Sequence, residues 1–99
     1  MQPRMYVLVR KDLRISQIVV QAVHAAAEYL RINPKTPWSN GVLVAMGVDN
    51  LAHLKQMEKE ITDFGAKSAI FYEDDIREET ALAFVWHGKC EVVAKLNPV

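Results

Sequence analysis

Residues 4–10 read RMYVLVR, and after a short polar turn residues 15–32 read ISQIVVQAVHAAAEYLRI. The first run is short and rich in β-branched and aromatic residues, which is typical of a largely buried strand. The second run is apolar over most of its length and stops before a proline, whose ring disfavours helix at the preceding residue. We therefore predict a strand over Arg4–Arg10, an N-cap at Ser16 and a helix from about Gln17 to Ile32.

The rest of the chain continues the alternation of strand and helix. We predict a strand over Gly41–Val48, a helix capped at Asp49 or Asn50 and stopped at Gly65, a strand over Lys67–Tyr72, an acidic loop over Glu73–Glu79, a strand over Ala81–Trp86, and a short helix or edge strand over Lys89–Leu96. Continuously apolar strands are expected where helices cover both faces of a sheet. The order β-α-β-α-β-β predicts one three-layer α/β domain over residues 1–99. Its mixed four-stranded sheet has helices on both faces, and the last two strands either pair antiparallel or join across the sheet end.

Length and composition limit the class of protein. The chain has 99 residues, 51% hydrophobic and 24% charged, which excludes intrinsic disorder and allows one core. Its single cysteine, Cys90, cannot form an internal disulfide, which favours a reducing compartment. The apolar run Ile15–Ala27 is shorter than a membrane span, and the first residues lack the organisation of a signal peptide. We expect a cytoplasmic protein with no membrane partner.

The zero net charge conceals an asymmetry along the chain. Residues 1–48 contain six basic and two acidic residues, a net charge of +4, whereas residues 49–99 contain six basic and ten acidic residues, a net charge of −4. A local positive face attracts phosphates even on a neutral protein. The alternative is that the two halves of the sequence are not separate faces of the folded protein.

The first helix has a narrow polar stripe. Its members follow one another at spacings of 4, 3, 4 and 3 residues and are Gln17, Gln21, His24, Glu28 and Arg31. One interpretation is that this stripe is the solvated side of a packed helix. The other is a site, because the middle of the stripe holds a glutamine and a histidine, which suits hydrogen bonding and acid–base chemistry.

A basic cluster precedes that helix. Arg10, Lys11 and Arg14 accompany Asp12 between the end of the first strand and the helix start, where open α/β sheets bind ligands and helix termini favour anions. This predicts a phosphate-facing site in which Asp12 either pairs with an arginine or acts on a water. The three histidines lack the short spacing of a zinc site, so we expect no metal and no cofactor.

Two segments, MYVLVRKDL at residues 5–13 and QAVHAA at residues 21–26, together resemble the type II peptidyl-tRNA hydrolases of archaea and eukaryotes. The resemblance continues more weakly through most of the chain. It implies a mixed four-stranded sheet and metal-free hydrolysis of the ester that joins a peptide to tRNA. By the same resemblance, the catalytic residues are His24, Asp12 and Asp74, with Glu73 as the alternative to Asp74, and the RNA-binding residues are Arg10, Lys11, Arg14 and Gln21.

The chain departs from that family at two places. Arg14-Ile15-Ser16-Gln17 stands where the family has Gly-Lys-Gly-Lys, and the acidic residues 73–80 replace the family's Asp-Ala-Gly-Arg-Thr-Gln loop. Three hypotheses remain open. The protein is a peptidyl-tRNA hydrolase-like enzyme acting on peptidyl-tRNA; or it is a non-catalytic tRNA- or protein-binding module with the same fold; or it is a structural subunit that forms a homodimer through its first helix or final segment.

Overall fold

The computed structural model describes residues 2–99 and confirms the predicted order of strands and helices. The elements are strand β1 Pro3–Arg10, helix α1 Ile15–Ile32, strand β2 Leu43–Val48, helix α2 Leu51–Phe64, strand β3 Ala69–Glu73, strand β4 Glu78–His87 and a short 3-10 helix Glu91–Val93. Within the described residues, neither helix has the length and hydrophobicity needed to cross a membrane.

The four strands form one mixed sheet in the order β2-β1-β4-β3. β1 pairs with β2 in parallel, and β4 pairs antiparallel with both β1 and β3. The last two strands are therefore an antiparallel hairpin rather than strands joined across the sheet end. β1 and β4 occupy the centre, so the ends of these two strands fix the position of whatever lies beside them.

The two helices cover opposite faces of the sheet. On one face, Tyr6 of β1 stacks on Phe84 of β4 at 5.3 Å between ring centroids, and Phe64 of α2 contacts Trp86 at 4.9 Å. On the other face, His24 of α1 stacks on Phe71 of β3. Since side chains alternate along a strand, this division follows from the register, and the three-layer prediction is confirmed.

The two central strands and α2 together supply most of the core. Residues 5–9 of β1 are buried, as are Leu54, Met57 and Ile61 of α2. Each such side chain stabilises the fold by about 1.5–3 kcal/mol relative to an exposed position. The α1 side of β4 carries the small residues Ala81 and Ala83, which let α1 approach the sheet closely.

The helix ends are partly as predicted. Asn50 caps α2 by accepting the backbone N–H of His53 at 3.0 Å, and Gly65 ends the helix in the left-handed region at φ 108°. The predicted N-cap at Ser16 is wrong. Arg14 is the N-cap of α1, because its carbonyl already accepts the N–H of Ile18 at 2.9 Å, and no side chain caps this end.

The final segment is held by hydrogen bonds to the sheet. The buried hydroxyl of Tyr6 donates to the carbonyl of Gly88 at 2.7 Å and accepts the N–H of Cys90 at 3.2 Å. Further on, Gly47 of β2 donates its N–H to the carbonyl of Asn97 at 2.8 Å. The segment predicted as a short helix or an edge strand therefore contains a 3-10 turn, followed by a single bridge to β2.

Gly47→Ala tests the close packing of Lys11 on β2. A Cβ at this buried position would lie 2.6 Å from Cδ and 2.7 Å from Cγ of Lys11. We expect the free energy of unfolding to fall by about 1–3 kcal/mol because the stem of Lys11 must move. In a Lys11→Ala background the same change should be neutral or slightly stabilising, since alanine in a strand costs less chain entropy than glycine. Equal losses in both backgrounds, measured by urea unfolding, would contradict this packing.

Candidate functional site

Polar side chains from four elements meet at one end of the sheet. The end of β1, the first turns of α1 and the β3–β4 hairpin lie together there, and the hairpin brings in the acidic residues 73–80. The loop predicted over Glu73–Glu79 is a four-residue turn between two paired strands. Hydrogen bonds hold the side chains of Glu73, Glu78 and Glu79, whereas Asp74 and Asp75 are exposed in the turn. Two hydrogen-bonded networks make up the site, one centred on Arg10 and the other on Gln21.

The first network surrounds the buried guanidinium of Arg10. Its Nε and Nη2 donate to the two oxygens of Asp12, each at 2.9 Å. Its Nη1 donates to Oε1 of Glu78 at 2.7 Å and to the carbonyl of Glu79 at 3.0 Å. The hydrogen bond from Arg10 holds the pKa of Asp12 below its ordinary value, and the same bond raises the pKa of Arg10. Arg10 is thus engaged within the protein by two carboxylates and a carbonyl.

The second network runs from β4 through α1 to β3. The buried hydroxyl of Thr80 donates to Oε1 of Gln21 at 2.7 Å, and Nε2 of Gln21 donates to Oε1 of Glu73 at 2.7 Å. Because Thr80 occupies the amide oxygen, the amide nitrogen is left to face Glu73. Gln21 is itself buried, so both ends of its side chain are fixed.

A β-bulge aims Thr80 at Gln21. The β3–β4 register shifts between Phe71, which pairs with Ala81, and Tyr72, which pairs with Glu79, so Thr80 is an extra residue in β4. In a regular strand Thr80 would share the face of Leu82 and point away from α1. A bulge redirects side chains in this way and commonly lies beside functional sites.

His24 lies one turn after Gln21 and remains exposed. Its ring stacks on Phe71 at 4.6 Å between centroids, with 6° between the ring planes, which fixes the orientation of the imidazole. The pKa of the Glu73 carboxylate is lowered chiefly by the hydrogen bond from Gln21, with smaller effects from the backbone N–H of Asp75 and the charge of His24. Glu73 therefore stays ionised near neutral pH beside an accessible imidazole.

A small cavity of about 30 Å³ opens beside this network. Its walls include Gln17, Gln21, Glu73, Ile76 and Thr80. This volume suffices for a water with polar partners but not for a nucleotide. A larger open cavity of about 320 Å³ lies at the other end of α1, against Tyr29 and residues 33–36, away from both networks.

Some of the predicted site residues lie in the two networks, and others are exposed outside them. Asp12 meets Arg10, and Gln21 lies one turn from His24, as described above. Lys11 is exposed with its Nζ 3.6 Å from Asp49, and Arg14 is exposed at the start of α1. Asp74 is exposed in the hairpin turn, and the carboxylate that reaches Gln21 belongs to the adjacent Glu73, the alternative that the resemblance left open.

The polar stripe of α1 is divided between interior and surface. Gln21 is buried against the hairpin, so the interpretation of the stripe as a solvated side is wrong at this residue. Glu28 and Arg31 instead pair with each other at 2.8 Å on the surface. The exposed residues of the helix include apolar ones, with Val19 and Val23 both more than half exposed.

Two functional candidates, Glu78 and Thr80, were not singled out from the sequence. In the sequence Glu78 is one of several neighbouring acidic residues, and no pattern sets it apart from the others. No sequence pattern indicates Thr80 as a site residue, because the direction of its side chain depends on the bulge.

The comparisons with known proteins bear on the fold. No protein-family model matches the chain, and no curated protein matches it. Among solved structures, a protein of unknown function from Agrobacterium tumefaciens strain C58 is similar, with a TM-score of 0.73 and 10% sequence identity over 100% of this chain and 98% of that one. At this identity the likeness shows a shared fold alone.

Gln21→Leu tests the second network. Removing the amide donor should raise the pKa of Glu73 toward its ordinary value of 4.5, because the Gln21 hydrogen bond is the largest cause of the lowered pKa. A carboxylate NMR titration measures the change. Gln17→Leu, one turn earlier on the same helix, is the matched control and should leave the pKa of Glu73 in place. An unchanged pKa in Gln21→Leu would contradict the network.

Asp12→Asn tests the first network through the pH dependence of stability. The folded pKa of Asp12 lies below its ordinary value of 3.8, so the unfolded state binds more protons as the pH falls past that value. Its contribution is present near pH 7 and is lost as the pH falls through the folded pKa. Because the Asp12 side chain is 39% exposed and solvent screens its ion pair, we expect Asp12→Asn to lose about 1 kcal/mol or less at pH 7. The difference in the free energy of unfolding between Asp12→Asn and wild type should narrow below about pH 4. A difference that stays constant with pH, measured by urea unfolding, would contradict the ion pair.

Proposed function

We propose that this chain hydrolyses an ester of the peptidyl-tRNA class at the corner formed by α1 and the β3–β4 hairpin. The observation that carries the proposal is the hydrogen bond from Gln21, one turn before His24, to Glu73, a carboxylate 52 positions further along the chain. Both α1 residues belong to the motif that resembles type II peptidyl-tRNA hydrolases. The hairpin supplies the carboxylate next to them.

Each residue of this corner has one role in the proposed hydrolysis. His24 takes a proton from a water near the cavity, and the water oxygen attacks the ester carbonyl carbon. The bond between that carbon and the tRNA oxygen breaks, and the imidazolium returns the proton to the leaving oxygen. Glu73 stabilises the imidazolium by its charge, while Gln21 and Thr80 hold Glu73 in place. Peptide carboxylate and tRNA with a free hydroxyl are the products.

The contacts with tRNA fall to the exposed cations at the rim. Arg14 is exposed beside the start of α1 and available to phosphates, and Lys11 is exposed there too, with its Nζ 3.6 Å from Asp49. Arg10, predicted from the resemblance to bind RNA, already makes four hydrogen bonds inside the protein. We therefore assign it the positioning of Asp12 and of the hairpin. Asp12 and Asp74 remain candidates for orienting water at the edge of the site.

A second candidate function is binding without hydrolysis, by a module that kept the fold. The acidity of the site favours it. Asp74 and Asp75 lie exposed beside Glu73, and carboxylates at that position repel a phosphate backbone. A basic segment of a partner protein would suit this corner better than RNA. The family that the chain resembles has lysines just before this helix, whereas residues 14–17 of this chain contain none.

Turnover of peptidyl-tRNA by purified protein distinguishes the two candidates. We expect His24→Ala and Glu73→Gln to lower kcat by roughly 10²–10⁴-fold. Glu60→Gln changes a carboxylate on α2 that pairs with Lys95, and it should leave kcat unchanged. Wild type that shows no turnover at high enzyme concentration would contradict the hydrolase. Binding of tRNA without turnover, weakening steeply with salt, would support the module.

A further inference from the structure

An open cavity of about 320 Å³ lies at the C-terminal end of α1, where the helix passes into the loop toward β2. Its walls are Tyr29, Asn33, Pro34, Lys35 and Thr36. Small-molecule sites have volumes of roughly 300–1,000 Å³, so this cavity suits a small ligand. At the roughly 30 Å³ that one water molecule occupies in the liquid, it has room for about ten non-hydrogen atoms.

Tyr29 is buried in the wall of this cavity, and its hydroxyl is free. The residue is only 7% exposed. Within residues 2–99 its hydroxyl forms no hydrogen bond, whereas the hydroxyl of Tyr6 forms two. Every fully buried side-chain nitrogen or oxygen in that part of the chain has a partner, so the Tyr29 hydroxyl reaches solvent. A buried tyrosine usually bonds its hydroxyl, and the cavity is where this one can do so.

Two more donors line the same cavity. Lys35 is exposed and forms no ion pair with any residue of the described chain, and the hydroxyl of the half-buried Thr36 makes no hydrogen bond there. The amide nitrogen of Asn33 is already engaged, since it donates to the carbonyl of Tyr29 at 3.0 Å. Three groups are thus free to donate hydrogen bonds, and one of them carries a full positive charge. Such a set complements an anionic oxygen acceptor.

The charge of Lys35 outweighs that of the helix end. The C-terminus of a helix carries about half a negative charge, which disfavours an anion. Here the carbonyl of Tyr29 already accepts the backbone N–H of Asn33 at 2.9 Å and its amide nitrogen at 3.0 Å. Arg31 in the last turn pairs with Glu28, so this pair adds no net charge. The cavity therefore favours a ligand with one negative charge.

We propose that this cavity binds a small aromatic carboxylate of the size of benzoate. The ring of such a ligand packs against the ring of Tyr29 and against Pro34, which are the apolar parts of the wall. Its carboxylate accepts hydrogen bonds from Lys35 and from the hydroxyls of Tyr29 and Thr36. Because the cavity is open and the ligand is small, we expect a Kd of about 0.1–1 mM. Neither His24 nor any residue of the Arg10 network lines the cavity, so this inference does not depend on the proposed function.

An NMR titration of the full chain with benzoate tests the site. The backbone amide resonances of residues 29–36 should shift and saturate between about 0.1 and 10 mM benzoate, while those of residues 21–24 should stay in place. Benzyl alcohol has the ring without the charge, and inorganic phosphate has the charge without the ring. Each should bind at least about tenfold more weakly than benzoate.

Two variants and two matched controls assign the contacts. Lys35→Met should weaken benzoate binding by about tenfold or more, and Tyr29→Phe by about three- to tenfold, because the first loses a charged hydrogen bond and the second a neutral one. Lys59→Met on α2 and Tyr72→Phe on β3 remove the same groups at exposed positions that do not line the cavity. Both controls should bind benzoate as the wild type does.

Each outcome supports or overturns the inference. The free energy of unfolding of Tyr29→Phe in urea should equal that of the wild type, and a loss of stability would overturn the free hydroxyl. Saturable shifts that weaken in Lys35→Met but not in Lys59→Met would support the site. Shifts that do not saturate, or that benzyl alcohol reproduces at the same concentrations, would overturn the recognition of a carboxylate. Tighter binding of phosphate than of benzoate would overturn the aromatic class in favour of an inorganic anion.

Discussion

Arg10 is the last residue of β1, and its guanidinium is buried. Its hydrogen bonds join the segment just after β1 to the β3–β4 hairpin. Two go to Asp12 and two to the start of β4. A buried cation stripped of these partners would be strongly unfavourable, so the hairpin must sit where Glu78 and the carbonyl of Glu79 can reach it. That constraint sets the position of the acidic turn and, with it, of Glu73. The charge of the N-terminal half is thus partly neutralised inside the protein rather than displayed as a separate positive face.

The bulge at Thr80 adds a second constraint on the geometry of the site. Arg10 fixes the base of the hairpin, and the extra residue in β4 turns a hydroxyl toward α1. Thr80 then fixes which end of the Gln21 amide faces Glu73. A buried amide is stable when its oxygen and its nitrogen are both hydrogen-bonded. Loss of either partner costs free energy, so the network favours a single orientation of the Gln21 side chain. The carboxylate is held beside His24 without any direct bond between the two side chains being required.

Helix α1 has an unusual distribution of polarity. Gln21 faces the interior, whereas Val19, Val20 and Val23 are exposed, which is unusual for a surface helix. The polar side serves the candidate site, which explains why Gln21 is tolerated in the interior. The exposed valines make no comparable contribution to the site.

The fold class, the order of elements and several boundaries follow from local patterns in the sequence. Apolar runs of strand and helix length identified β1, α1, β2 and α2, while Asn50 and Gly65 marked the ends of α2, because these features depend on residues close together in the chain. The sequence also drew attention to Gln21, His24 and the acidic hairpin. Only the tertiary structure decided that Arg10 is neutralised by Asp12 and Glu78, that Glu73 rather than Asp74 meets Gln21, and that Thr80 orients the amide. Those contacts join residues up to 68 positions apart. They depend on strand register and on one bulge, neither of which leaves a periodic signal in the sequence.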